Sequence, residues 1–254
     1  MDMTIAIIGL IVGFLVGLTG VGGAALLTPI LIYIGINPSI AVGTDLFYNS
    51  VTKLFGTVQH WRQKTIQWKL VSYLASGSVP GAVAAVALLK AFEVFFDSQE
   101  DLIRSSLGIM LVIVAASILA RQYLFKEAKE NKWQAKPIEE KRLLTVVIGF
   151  VLGFIVGLTS IGSGSLFALA LIYFFRLPAA RIVGTDIAHA FFLVAAAGLM
   201  HAGIGNVDFP LALNLLAGSV PGVLIGSKLS TRAPSKPLRT AVAVLILISG
   251  AKLL

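Results

Sequence analysis

From Ile5 to Ile36 the chain carries no charged side chain, and "GLTGVGG" at 17–23 sits in the middle of that stretch. Apolar runs near twenty residues are long enough to cross a bilayer as helices. Backbone in lipid must satisfy its own hydrogen bonds, which leaves helices or closed barrels. The runs here are continuous rather than alternating, which excludes a barrel. Composition agrees: 13% of residues are charged, against about 25% in soluble domains. Mean hydropathy is +0.92. The fold class expected is therefore an all-α integral membrane protein.

Ten apolar segments are marked by the sequence, at 3–18, 22–36, 41–60, 68–90 and 102–124, then 143–158, 162–176, 183–203, 209–229 and 237–253. The two sets of five are copies. "GFLVGLTGVGGAALLTPILIY" from Gly13 recurs as "GFIVGLTSIGSGSLFALALIY" from Gly153. "VGTD" ends at Asp45 and again at Asp186; His60 matches His201; "SGSVPG" ending at Gly81 matches "AGSVPG" ending at Gly222. A fixed internal period of this kind marks duplication. The domains expected are a first repeat over 1–124, a basic linker over 125–142 and a second repeat over 143–254.

Lys and Arg set the orientation. The linker region carries Arg121, Lys126, Lys129, Lys132, Lys136, Lys141 and Arg142, which places it in the cytoplasm. Alternating outward from it, sixteen of the twenty basic residues fall on that side. Both termini then face outward from the cell membrane. The repeats start on opposite sides, and inverted repeats are a hallmark of secondary transporters. Trp61, Trp68 and Trp133 fit interfacial anchors.

Segment 3–18 would be about 24 Å long as a helix, short of a hydrocarbon core of about 30 Å. No charged turn follows it. Residues 3–36 are therefore expected to form a re-entrant hairpin whose tip stops inside the membrane, with 143–176 doing the same from the other side. Two full crossings would leave the charge pattern unchanged. Irregular backbone at that depth must be buried in protein or line a watery cavity. The second arm of each hairpin would begin near Gly22 or Gly162, and a helix start is an anion site. The candidate binding residues are Thr19, Gly20, Val21, Gly22 and Gly23 with Thr159, Ser160, Ile161, Gly162, Ser163 and Ser165. Gly9, Gly13 and Gly17, with Gly149, Gly153 and Gly157, form GxxxGxxxG patterns that serve helix packing.

Asp45, Asn49 and Lys53 are spaced to share one helical face. A charge within a membrane segment is a functional hypothesis by default. Lys53 is expected as a counter-charge to substrate or as a partner of Asp45, with Asn49 beside it; an internal structural pair is the plainer reading. The second copy keeps only Asp186, with Val194 and Ala190 in place of Lys53 and Asn49. Asp45 and Asp186 are candidate coupling residues carrying protons, or carboxylates stabilising a helix start. His60 and His201 are open between pH sensing and packing. Pro80 and Pro221 should kink their segments.

Together the glycine-rich hairpins, the two "VGTD" stretches, "GNVDF" at 205–209 and the twin "GSVPG" segments resemble the sulfite exporter TauE/SafE family over nearly the whole chain. The resemblance implies outward transport of a small sulfur-containing anion: sulfite, or an organosulfonate such as sulfoacetate. Two mechanisms stay open, a secondary transporter working by alternating access and a passive anion channel.

Other classes fare worse. The net charge of +8 sits in short segments between apolar runs, which argues against nucleic acid. Cysteine is absent, only three histidines occur, and neither HExxH nor GxSxG is present, so no enzyme, metal or cofactor is implied. The partners expected are the small anion, the lipid bilayer, and protons or another coupling ion. No GxxxxGK[ST] loop is present for ATP hydrolysis.

Overall fold

Helices form where the apolar segments predict them. A computed structural model describes residues 3–19, 22–95, 99–123, 132–230 and 235–254. In chain order the helices are α1 Met3–Thr19, α2 Ala24–Tyr33, α3 Pro38–Arg62, α4 Trp68–Phe95, α5 Gln99–Tyr123, α6 Arg142–Thr159, α7 Leu166–Phe174, α8 Ala179–Gly203, α9 Phe209–Ser230 and α10 Ser235–Leu253. Among the described residues, five helices are long and apolar enough to cross a membrane. The ten residues of α2 span about 15 Å, and α7 is shorter still.

Several boundaries differ from the sequence expectation, and two of these differences bear on the site. The helix starts of α3 and α8 lie earlier than 41 and 183. Asn37 accepts a hydrogen bond from the Ser39 amide at 2.9 Å, with Pro38 at the first helical position; Pro178 stands before α8. Proline there is pre-set for a helix and lacks only an orphan donor. Asp45 and Asp186 consequently each lie seven residues inside their helices, which removes the helix-start reading of these carboxylates. The second difference is at α7, which begins at Leu166 rather than near Gly162. Ser160 (φ 59°) and Gly162 (φ 103°) take left-handed conformations that end α6 in a turn.

Glycine decides how the helices pair. α1 lies along α9 and α4 lies along α6. Gly9, Gly13 and Gly17 rest on the main chain of Leu215, Ser219 and Val223, in increasing order, so α1 and α9 run parallel. From the other side, Gly218, Gly222 and Gly226 meet the carbonyls of Ala6, Leu10 and Phe14. The α4–α6 pair repeats the arrangement: Gly149 and Gly153 lie against the main chain of Leu74 and Ser78, and Gly77 and Gly81 against Val146 and Phe150. In lipid, helix association depends on such close packing because apolar burial supplies no drive. The expectation that these six GxxxG glycines serve packing holds. Pro80 and Pro221 lie inside α4 and α9, which continue through them.

α3 and α8 pack on each other at the centre, antiparallel, with Gly56 beside Ile187 and Gly198 beside Phe47. The "GT" of each "VGTD" stretch holds a loop. Thr44 Oγ1 accepts from the Asp208 amide and Thr185 Oγ1 from the Gln67 amide, both at 3.0 Å. His201 is buried with Nε2 3.0 Å from the Gly157 carbonyl, and His60 Nδ1 is 2.8 Å from Thr65 Oγ1. Both histidines therefore take part in packing.

Gly153→Ala should be among the most damaging single-atom additions, since the new Cβ would stand 2.7 Å from the Ser78 carbonyl carbon. Overpacking typically costs about 1–3 kcal/mol. Gly203→Ala, with nothing within 4 Å, should be near neutral. Heating solubilised protein and following the monodisperse peak by size-exclusion chromatography compares the two; equal behaviour would refute the packing argument.

Candidate functional site

The two glycine tips meet. A Cβ placed on Gly22 would stand 3.9 Å from the Gly164 Cα, and one on Gly164 would stand 3.9 Å from Lys53 Nζ. So the ammonium of α3 lies where the turn of one hairpin touches the turn of the other. Neither short helix is capped by a side chain: α2 starts after Gly23 and α7 after Ser165 without a capping hydrogen bond. Uncapped first turns leave N–H groups without helical partners and carry partial positive charge.

Lys53 is partly buried, and its charge couples first to Asp186 and then to Asp45. Among the described residues neither carboxylate closes an ion pair with it; the ion pair seen there joins Lys69 to Glu139 at the surface. Lys53 thus sits between two carboxylates on two different helices and is bound tightly to neither. His189 is also close enough to feel its charge.

The surroundings of the two carboxylates differ. Asn49 Nδ2 donates to Asp45 Oδ1 at 2.9 Å and to the Asp45 carbonyl at 3.0 Å. Its Oδ1 faces the first tip, 3.8 Å from where a Gly23 Cβ would be. The hydroxyls of Thr28 and Ser160 stand beside the Asp45 carboxylate and bond to each other at 2.9 Å. The repeat aligns Asn49 with Ala190, Thr28 with Ala168 and Ser160 with Gly20, so the neutral polar shell has no counterpart in the residues aligned with it around Asp186.

Other predicted donors are engaged. Thr19 Oγ1 donates to the Leu15 carbonyl at 2.7 Å, and Thr159 Oγ1 to the Ile155 carbonyl at 2.8 Å. Each threonine hydroxyl hydrogen thus returns to its own helix, as mid-membrane threonines commonly do. Ser160, Ile161 and Ser163 are buried in the second turn, with Gly162 among them. Gly20 and Val21 lie outside the described residues.

Two side chains that were not singled out as binding residues also reach the cluster. His189 of α8 is fully buried, places Nε2 2.8 Å from Ser78 Oγ and stacks at 4.3 Å on Phe167 of α7. Tyr48 of α3 is buried near Ser219 and packs by the first tip. Thr28 was missed altogether. The signal for it was its mismatch with Ala168, a hydroxyl in one copy only. A surface recess lined by Trp61, Arg62, Lys64, Ile66 and Trp68 lies at the α3–α4 turn, nine residues or about 13 Å further along from Lys53.

The sequence pattern of the family described as "Sulfite exporter TauE/SafE" matches residues 5–253. The chain belongs to the sulfite exporter TauE/SafE family. A relative from Bacillus subtilis (strain 168), described as "Probable membrane transporter protein YjnA", is 61% identical over all of both chains. A second from the same organism, "Probable membrane transporter protein YdhB", is 28% identical over 99% of this chain and 100% of its own. "Probable membrane transporter protein MJ0441" of Methanocaldococcus jannaschii is 26% identical over 96% of this chain and 92% of its own. No solved structure matches. As a member of this family the protein is a multi-pass membrane transporter and not an enzyme.

Lys53→Met should destabilise the protein, because two buried carboxylates lose their shared cation. Because Lys53 contacts neither carboxylate directly, the loss should fall below the ~3–5 kcal/mol typical of breaking a buried ion pair. Adding Asp186→Asn should restore part of that loss, giving a coupling term in a double-mutant cycle. Additive thermal shifts would show that the two residues do not interact.

Proposed function

We propose that the chain moves a small sulfur-containing anion, such as sulfite or an organosulfonate like sulfoacetate, across the cell membrane by alternating access. The observation that carries this reading is the meeting of two uncapped helix starts at a lysine ammonium. Helix starts are ready-made sites for oxyanions. Each contributes about half a unit of positive charge, and Lys53 supplies a full one. Ser163 and Ser165 add hydroxyls in the second turn, and Asn49 stands by the first. Asp45 and Asp186 are the coupling candidates. The family description supports a sulfur oxyanion as cargo, with export as the direction.

Several features support two inverted repeats divided near residues 125–142. The pairing of α1 with α9 is mirrored by that of α6 with α4, and α3 pairs with α8. Parallel outer pairs and an antiparallel central pair are what an axis in the membrane plane would produce. The shortness of α2 and α7 supports re-entrant hairpins. The linker is cytoplasmic in this reading, with both termini outside.

Sulfite, sulfoacetate, sulfate and acetate, screened by thermal shift on purified protein, would test it. A sulfur oxyanion at a hundredfold excess over its Kd should stabilise by about 2.7 kcal/mol, and Lys53→Ala should abolish the shift. In proteoliposomes the same anion should exchange across the membrane. Neither shift nor flux with any of them would reject the function, and flux that never saturates would favour a channel.

A further inference from the structure

We infer that Asp45, Thr28 and Ser160 form a sodium site at the end of α6, occupied together with the anion. The starting point is an orphan. Asp45 is fully buried, yet its Oδ2 has no hydrogen-bond partner among the described residues. A buried carboxylate oxygen left unmatched is costly and calls for a ligand. Beside it are hard neutral oxygens, Thr28 Oγ1 and Ser160 Oγ; their mutual hydrogen bond uses one hydroxyl hydrogen, the other faces the carboxylate, and a bound cation would take the lone pairs that remain on both. Asn49 already holds the other carboxylate oxygen in place. One carboxylate and several neutral oxygens suit a small monovalent ion. A calcium site gathers six to eight oxygens, usually with more than one carboxylate.

Helix ends favour the same choice. Ser160 is the C-cap residue of α6, so the negative end of that helix points at Asp45's surroundings. Broken helices in transporters use such C-terminal ends for sodium. The matching end of α1 is treated differently. There Arg239 Nε donates to the Thr19 carbonyl at 3.0 Å, so a protein cation caps it. At α6 the terminal region is met by His201, on the Gly157 carbonyl, with the Lys53 ammonium a few residues on beside Gly164.

Charge balance ties this site to the anion site, and this linkage, unlike the cation site itself, rests on the function proposed above. The charged and titratable groups facing Asp45 are Lys53 and Tyr48 on its own helix, and Lys53 in turn links it to Asp186 and His189 on α8. With both carboxylates ionised, one lysine and two helix starts of about half a charge each, the cluster is close to neutral. An entering anion would make it net negative. A sodium ion beside Asp45 offsets that charge, so each ion should tighten the other by the same factor. A divalent oxyanion leaving with one sodium ion would still carry negative charge outward, along an inside-negative potential.

The test is a thermal-shift titration of purified protein at fixed pH and ionic strength, with NaCl replacing N-methylglucamine chloride and no anion substrate present. Sodium should raise Tm saturably. Thr28→Ala, which copies the residue at Ala168, should weaken the apparent affinity roughly tenfold, as for the loss of one ligand. Asp45→Asn should abolish the response. Sulfite should then lower the sodium concentration needed. No sodium-specific shift, an unchanged response in Thr28→Ala, or a shift that follows pH alone would overturn the site. Because the titration omits the anion, failure here leaves anion binding to be judged by its own screen.

Discussion

Main chain touching main chain is what the architecture depends on. Along α1–α9 and α4–α6 the glycine faces admit the partner helix until carbonyls lie where a Cβ would be. Between helices in lipid, contact of this kind must replace the apolar drive that organises soluble cores. It also consumes the length of α1 and α6 as packing surfaces, so that the chain beyond each of them, at the tips, is delivered to a fixed place beside α3. Without that anchoring the short helices α2 and α7, at ten and nine residues, have too few turns of their own to hold an irregular turn in position.

Electrostatics then sorts what the tips can do. Desolvating one ammonium and two carboxylates is expensive, and the arrangement spreads one lysine between acids on α3 and α8. The near-identical backbone pairing in the two halves is accompanied by unlike side chains at the centre. Hydroxyls and an amide gather at Asp45, where the aligned positions of the other half carry Ala168, Ala190 and Gly20. Similar helix pairings around unlike side chains give one cluster with two distinct carboxylates.

Much of this was legible in the residues. Runs without charge located nearly every helix, and GxxxGxxxG located both glycine interfaces, because period and residue size are local properties. The two "GLT" tips and Lys53 are each legible as candidate binding residues; that they come together is seen only in the fold. Less accessible were features set by contacts between distant segments. The bond between Thr28 and Ser160 joins residues 132 apart, and no pattern along the chain points to it. The engaged hydroxyls of Thr19 and Thr159 were read as ligand donors because sequence does not say whether a threonine turns back on its own helix. Lys141 was counted only as a topology charge. It is in fact buried, donating to the carbonyls of Trp133 and Phe174 at 3.0 Å and lying over the Phe175 ring. A cation at the end of α7 suits that helix's dipole.

The glycine interfaces also determine what counts as a mechanical part. Each close pair takes one helix from the first half of the sequence and one from the second. Sliding or rocking within α1–α9 or α4–α6 would drive carbonyls into backbone, so each pair must travel as a single body. The pieces free to shift past one another therefore do not follow chain order: a motion that separated the helices before α6 from those after α5 would tear both seams. What the seams leave open is movement of whole mixed pairs against the α3–α8 core.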